Sequence, residues 1–555
     1  MPRILSLINV GNHWNLLVFY FHRTPVVYNG GRAHEEDIPG TVNLKADDNV
    51  SSTYGQALYP VPAEDPNDPL QWPRWRKNTI LIIVSFFSFL GNTALLGPSV
   101  YISIYSKDFN ISHATASGLV SYPNLAFGFG SLVLVPLYLK IGRRPVTLLS
   151  MTFFVCGLIG ASQATSFAGL MVARIFHSFG AGVCESLPVQ MVNDIFFIHE
   201  RGKRIGYYTV CLCLGSVSPL FSGYMLAGGY SWRLFFYVVI AFAAALLVAA
   251  FLFVEESAYR RTGKESPAST PTEDSSDKSG GQKHTENIVP PVELPKRKTY
   301  LQTLGLWGEI YHEEEFFMTI LRSFTYFPVP AVLWVITSFG IYIGLGALAF
   351  NYTFPIKIMA EPYNWPEQNS GLIAVASGLG FLLAFPFTSS SDRLAAYYTK
   401  RNNGIREAEM RLGVMLPAML MSPAGLIVYG LTAERNLHWI GYFAGVVMDQ
   451  WGAYFYFSFT LAYAVDSYYA NTSEMLIAMN LGKQAISFGM GSYLLDWILE
   501  SGYAVVISGI FCGVLLVNNL SLLIFMLWGK KIRIWTAKSW MGRLHARNAT
   551  RDMRH

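Results

Sequence analysis

Three ionisable side chains, Arg174, His177 and Glu185, stand in the first part of the stretch SFAGLMVARIFHSFGAGVCESLPVQMVNDIFFIHERGKR (166–204), a part apolar enough to cross a bilayer. Such groups are costly in lipid, and those that persist face a bundle interior or a water-filled pathway. A carboxyl that loads a proton on one side of a membrane and releases it on the other can drive transport, provided substrate binding biases the change. Glu185 is the first candidate for that work. A helix turns about 100° per residue, so an unbroken helix puts Arg174, Ser178, Ala181 and Glu185 on one face. Gly180 and Gly182 let a neighbouring helix come close. Two further ionisable residues lie in later apolar runs: Asp449 in GVVMDQWGAYF and Lys483 in MNLGKQAISFG. Lys483 could balance Asp449 or an anionic substrate. The alternative for each of these residues is a static ion pair that only locks helices together.

The elements that hold these residues follow from composition. The chain has 555 residues, 52% hydrophobic and only 14% charged, against about 25% charged in an ordinary soluble protein. The net charge of +5 is gathered in short loops, which reads as membrane topology and not as nucleic-acid binding. The five cysteines, Cys156, Cys184, Cys211, Cys213 and Cys512, all sit in apolar runs, so neither a disulfide framework nor a metal cluster is expected.

Twelve apolar runs approach the ~20 residues that a span needs. They fall at about 79–100, 115–138, 146–165, 167–192, 206–227, 232–254, 330–353, 369–390, 413–432, 438–463, 474–497 and 502–528. The expected fold is therefore an all-α integral membrane bundle of twelve transmembrane helices in two six-helix halves. Basic loops follow spans two, four and eight, and the tail is basic too. Positive charge marks the cytoplasmic side, so both termini are expected in the cytoplasm. Residues 1–78 form a largely disordered lead, with the apolar stretch Ile4–Phe21 left outside the fold as a variable extension. Residues 79–254 form the first half and 330–528 the second. Between them, 255–329 combines a disordered linker, Thr262–Pro291, with helices lying on the cytoplasmic face. Residues 529–555 are a short basic tail. A basic loop follows the second span of each half, at Lys140–Arg144 and Asp392–Arg411, a weak internal repeat of the kind transporters carry. Asn110-Ile-Ser112 is the sequon in an outside loop and a candidate for glycosylation.

Several tracts resemble a known family. VPLYLKIGRRP (135–145) is similar to a Gly–Leu–Asp–Arg–Gly–Arg–Lys pattern after span two: Leu137, Gly142, Arg143 and Arg144 match, while Val135 and Leu139 depart. ARIFHSFGAG (173–182) supplies the span-four arginine and its glycines, with His177-Ser178 in place of Gln-Gly. GSVSPLFSG (215–223) keeps Pro219 and Gly223 of an antiporter motif and has Ser218 and Ser222 where glycines are usual. DIFFIHERGKR (194–204), KRNNGIREAEMRL (400–412), YAVDSY (463–468) and DIPGTVNL (37–44) add further matches in order. Together they resemble the major facilitator superfamily, in its fungal drug:proton antiporter-like branch, over about Asp37–Trp535.

The resemblance implies alternating access around a midplane site, with Arg174 in proton coupling beside Glu185, Asp449 and Lys483. Gly142, Arg143, Arg144, Asp194, Glu200, Arg201, Pro219 and Asp466 belong to gating motifs. The implied function is proton-coupled efflux of a fungal metabolite or drug. Proton-driven uptake of a cation, polyamine or amino-acid-like solute is the alternative within transport, and a non-transporting membrane sensor is the alternative outside it. No HExxH, GxSxG or P-loop occurs, so neither an enzyme nor an ATP-driven pump is expected. The expected partners are a small-molecule substrate, protons and lipid, for a monomer in the plasma or vacuolar membrane, with no cofactor and no nucleic acid.

Overall fold

The computed structural model describes residues 40–43, 65–259, 298–305, 316–403, 405–468, 472–542 and 544–545. The extension at 4–21 and the linker at 262–291 lie outside them. Almost all of what is described is helix. Among the described residues, ten helices are long and apolar enough to cross a membrane. The first six spans are Arg74–Asp108, Thr115–Ile141, Arg143–Gln163, Phe167–Ile195, Glu200–Ala227 and Arg233–Phe253. After the central segment come Pro330–Met359, Ile373–Arg401, Ala408–Arg435 and Ala504–Lys538, numbered here seven, eight, nine and twelve. The runs expected at 438–463 and 474–497 are helical as well. The tenth joins Ile440–Phe455, a π-helical turn Tyr456–Thr460 and Leu461–Ser467. The eleventh is Thr472–Ser501. These two are less apolar because Asp449 and Gln450 interrupt one, and Asn480, Lys483 and Gln484 the other.

Helices this apolar must satisfy every backbone polar group within the protein. Proline breaks that accounting, because it lacks the N–H that its carbonyl partner four residues back would accept. Pro123 so frees the Leu119 carbonyl, and Arg174 Nε donates to it at 2.6 Å. At Pro98 the first span passes into a 3-10 turn, Gly97–Tyr101; Arg174 donates to the carbonyls at that break, Ala94 at 3.4 Å and Leu95 at 3.0 Å. The same device recurs where the Ser88 hydroxyl serves Cys184, four before Pro188, and where Asn519 Nδ2 reaches Met419, four before Pro423, at 3.4 Å.

The fourth span is not one continuous α-helix. It runs Phe167–Ala181, turns over 182–185, and resumes as Ser186–Ile195. The turn tightens the chain between Arg174 and Glu185, with i→i−3 hydrogen bonds from Gly182 to Phe179 and from Cys184 to Ala181. Close approach at the two glycines does hold. A Cβ on Gly182 would stand 2.6 Å from the Gly130 Cα of the second span, and one on Gly180 2.7 Å from the Phe154 backbone nitrogen of the third.

Two of the sequence tracts meet in space. Thr41–Asn43 (β1) and Ile405–Glu407 (β2) form a two-stranded antiparallel sheet, with Thr41 opposite Glu407 and Asn43 opposite Ile405. The chain ahead of the first span is thus fastened to the loop between spans eight and nine. Part of the central segment is an amphipathic helix, Phe316–Phe324, with Phe317 and Leu321 exposed and Thr319 and Ser323 buried. That pattern suits a helix lying at a membrane interface.

Candidate substrate cavity and coupling pair

Spans five and eight touch at both ends. At one end the Lys203 backbone N–H donates to Asp392 Oδ2 at 2.8 Å. At the other, a Cβ on Gly371 would stand 2.6 Å from the Pro219 carbonyl. Between these contacts lies a cavity. Spans one to six contribute Asn92, Asn124, Glu185, Leu212 and Cys213 to its wall; the later helices contribute Phe339, Tyr342, Phe381, Gln450, Phe457, Lys483 and Gln484. Two of its aromatic walls come from non-α turns. Tyr342 opens a π-helical stretch, Tyr342–Leu348, and Phe457 lies in the π turn of the tenth helix. Such turns recur at functional sites because they re-aim side chains that an α-helix would point elsewhere.

Glu185 and Lys483 form an ion pair across the cavity, joining the fourth span to the eleventh helix. The Lys483 ammonium also lies 5.1 Å from the centre of the Phe339 ring. A second, smaller cavity, lined by Tyr208, Leu476 and Asn480 among others, shares Glu185, Phe339 and Lys483 with the first. The pair thus stands where two cavities meet.

Asp449 is not the partner of Lys483. Its carboxylate accepts from Ser422 Oγ at 3.0 Å and from Gln450 Nε2 at 3.0 Å, and among the described residues it pairs with no cation. Arg174 likewise pairs with no carboxylate; its guanidinium is spent on the three carbonyls at the helix breaks. His177 is buried beside Ser178, 3.4 Å from its hydroxyl, away from the cavity wall.

The residues of the gating motifs group by half. Arg143 Nε meets Asp194 Oδ2 at 3.2 Å. In the second half Arg411 pairs with Asp466, and Arg411 and Arg406 both lie near Asp392, at 3.8 and 3.9 Å. Each half therefore ties an arginine following its second span to an aspartate ending its fourth. Burial pushes the Arg406 guanidinium below its ordinary value, and the Asp466 carboxylate opposes that. Gly142 lets Glu256 close over the start of the third span, where Glu256 accepts from the N–H groups of Arg143 at 2.9 Å and Arg144 at 3.0 Å. Arg144 donates to the Phe251 carbonyl at 2.8 Å and the Leu304 carbonyl at 3.2 Å. Arg201 donates to the Phe196 and Asn193 carbonyls at 3.1 and 3.0 Å, inside its own half. Glu200 stands in the first turn of its helix, where negative charge complements the helix dipole. Asp392 and the cavity amides Asn92, Asn124, Gln450 and Gln484 were not singled out by the sequence; an amide or carboxylate inside an apolar run was the signal that could have found them. Asn110 sits in the turn after the first span with φ of 52°.

The major facilitator superfamily model matches residues 81–492. The chain belongs to the major facilitator superfamily. It is 28% identical to the MFS transporter fsa7 of Fusarium sp., over 82% of this chain and 83% of that one. It is 23% identical to Protein HOL1 of Saccharomyces cerevisiae, over 93% and 99%. Among solved structures, the proton:xylose symporter XylE superposes with a TM-score of 0.54 at 14% identity, covering 82% of this chain and 96% of XylE. This superfamily member is thus a multi-pass membrane transporter and not an enzyme.

Proposed function

We propose that the protein is a proton-coupled exporter of a small organic molecule, of the drug:proton antiporter type, acting as a monomer in the plasma membrane with both termini in the cytoplasm. The observation that carries this is the Glu185–Lys483 pair bridging the two halves at the wall of their shared cavity. In alternating access the halves rock around a midplane site. A salt bridge across that site resists separation, so whatever breaks it releases the motion. Protonation of Glu185 removes one charge of the pair; the groups facing it are Lys483 and, beyond it, Asn480 and the Tyr208 hydroxyl, which donates to the Glu185 carbonyl at 3.0 Å. Substrate binding in the cavity is the competing event. Two events that exclude each other at one carboxylate give exchange. Asp449 is the second proton-binding candidate, linked to the cavity through Gln450. The antiporter-like tract around Pro219 favours export over the uptake reading, and the loop at Asn110 faces outward in this topology.

The test uses proteoliposomes holding the full chain and a transported compound. Under an imposed pH gradient, Glu185→Gln should lose gradient-driven movement, by about 100-fold on the scale of a required proton-transfer group, while still exchanging substrate down its own gradient. Gradient-driven transport at the wild-type rate by that variant would refute the assignment.

A further inference from the structure

We propose that the twelfth span, where it runs on past the bilayer, carries a binding site for an anionic phospholipid headgroup, formed by Lys531 and Lys538 with Trp535 and Trp540.

Length comes first. The span covers Ala504–Lys538, 35 residues, or about 50 Å of helix. The hydrocarbon of a bilayer is about 30 Å thick, so the helix outruns it, and the end that leaves is the one rich in lysine.

The face that leaves is the face that meets lipid. Within the bilayer the span exposes Val517, Leu520, Ile524 and Trp528. At about 100° per residue these four fall in a sector of about 80°. The same sector continues through Lys531, Trp535 and Lys538, all exposed. One stripe thus passes from aliphatic, through Trp528, to alternating lysine and tryptophan. Side chains on a helix lean toward its N-terminus, which for this span is back toward the bilayer. Trp535 stands about 10 Å of rise beyond Trp528, within reach of the headgroup layer, and lysine stems extend that reach.

The cations of this segment sort by side. On the protein side, Lys530 meets Glu407 at 2.7 Å and Arg533 meets Glu409 at 2.6 Å. On the lipid-facing stripe, Lys531 and Lys538 pair with no carboxylate among the described residues. The protein supplies counter-charge for the inner pair and leaves the outer pair to an anion from outside. Trp535 and Trp540 are 67% and 68% exposed, and an indole is an apolar body with one N–H donor, suited to the membrane interface. A phosphodiester set on an acyl body answers both features at once.

The end of the stripe is held in place. The helix stops at Lys538, and the Gly542 N–H donates to Ser539 Oγ at 3.0 Å. Beyond that turn His545 stacks on Tyr326, ring centres 3.9 Å apart, with Thr325 Oγ1 2.8 Å from its Nε2. Trp540 therefore sits between two anchored points, next to the end of the amphipathic helix Phe316–Phe324.

The test takes the purified full chain in detergent micelles and three probes: phosphatidylserine, phosphatidylcholine, and glycerophosphoserine, the same headgroup without acyl chains. Binding is read as the rise in unfolding temperature with probe concentration. Phosphatidylserine should act at lower concentration than phosphatidylcholine, and glycerophosphoserine should have no effect. Lys531→Gln/Lys538→Gln should need roughly 30-fold more phosphatidylserine, on the scale of two lysines beside an anionic surface, and should respond to phosphatidylcholine as the wild type does. Lys530→Gln, which loses an internal pair instead, should keep the wild-type phosphatidylserine dependence. The fluorescence difference between wild type and Trp535→Phe/Trp540→Phe isolates the two indoles, and acrylamide should quench it less in nanodiscs containing phosphatidylserine than in phosphatidylcholine alone. Equal action of the two lipids, equal action of the soluble headgroup, an unchanged response in the double lysine variant, or equal acrylamide quenching in both nanodiscs would overturn the proposal.

Discussion

Arg174 and Glu185 read alike in the sequence, as charges in lipid, yet the fold gives them different work. Arg174 is fully buried and serves carbonyls, so it is a positioning residue that holds two broken helices together beside the cavity. Each buried carbonyl left without a donor costs about 1–3 kcal/mol. Arg174→Gln should therefore lower the unfolding temperature and the yield of folded protein. Pro123→Ala restores an N–H for the Leu119 carbonyl, so the double variant should recover part of that loss. Detergent-extracted thermal stability of the four forms checks this; no rescue by Pro123→Ala would mean that Arg174 acts otherwise. Glu185, by contrast, has one ionic partner and stands on the cavity wall, which is where a group that changes charge during a cycle must be.

At the scale of elements, the fastening of the N-terminal tract is the feature with the clearest consequence. Gly40 has φ of +82°, and a Cβ there would lie 2.9 Å from the Ser467 Cα and 3.1 Å from the Asp466 carbonyl. Both the backbone conformation and the backbone neighbours refuse a side chain. Gly40→Val should detach β1 from β2 while leaving the bundle folded. Cysteines placed at positions 42 and 406 should cross-link in the wild-type background and fail to do so with Gly40→Val. The strand also brings Thr41 toward Arg533, 3.4 Å away. Arg533 itself is gripped by Glu409 at 2.7 and 2.6 Å, so the strap, the loop between spans eight and nine and the end of the twelfth span form one unit.

At the scale of the whole molecule, spans five and eight meet on either side of the cavity, at Lys203–Asp392 and at Pro219–Gly371. Asp392 is the hinge of one closure: it accepts from the Lys203 N–H of the other half while sitting among Arg406 and Arg411 of its own. Removing it takes away the acceptor that reaches across the halves and leaves two arginines short of a counter-charge. Asp392→Ala should therefore favour opening on that side. Cys213 lines the cavity, so its labelling by a soluble maleimide should speed up several-fold in the variant and slow again when a ligand occupies the cavity. Unchanged labelling would show that Asp392 does not hold the closure.

The amino-acid sequence by itself determined the helical membrane bundle, because apolar runs of span length have no other stable arrangement in lipid. It also determined the family, through tracts in fixed order, and the list of buried charges, because ionisable groups stand out in apolar runs. Only the tertiary structure decided who partners whom. Arg174 was expected to share a face with Glu185, but their partners differ: carbonyls at the proline breaks take the arginine, and Lys483 takes the glutamate. Lys483 was offered to Asp449 or to substrate, and Glu185 takes it, 298 residues away by number. Periodicity within a helix reports one helix's faces; an ion pair between the fourth span and the eleventh helix depends on how the two halves dock, which no local pattern encodes. The same limit hid the cavity amides: an asparagine or glutamine in a span is visible in the sequence, but whether it reaches a cavity wall is set by how helices of both halves pack.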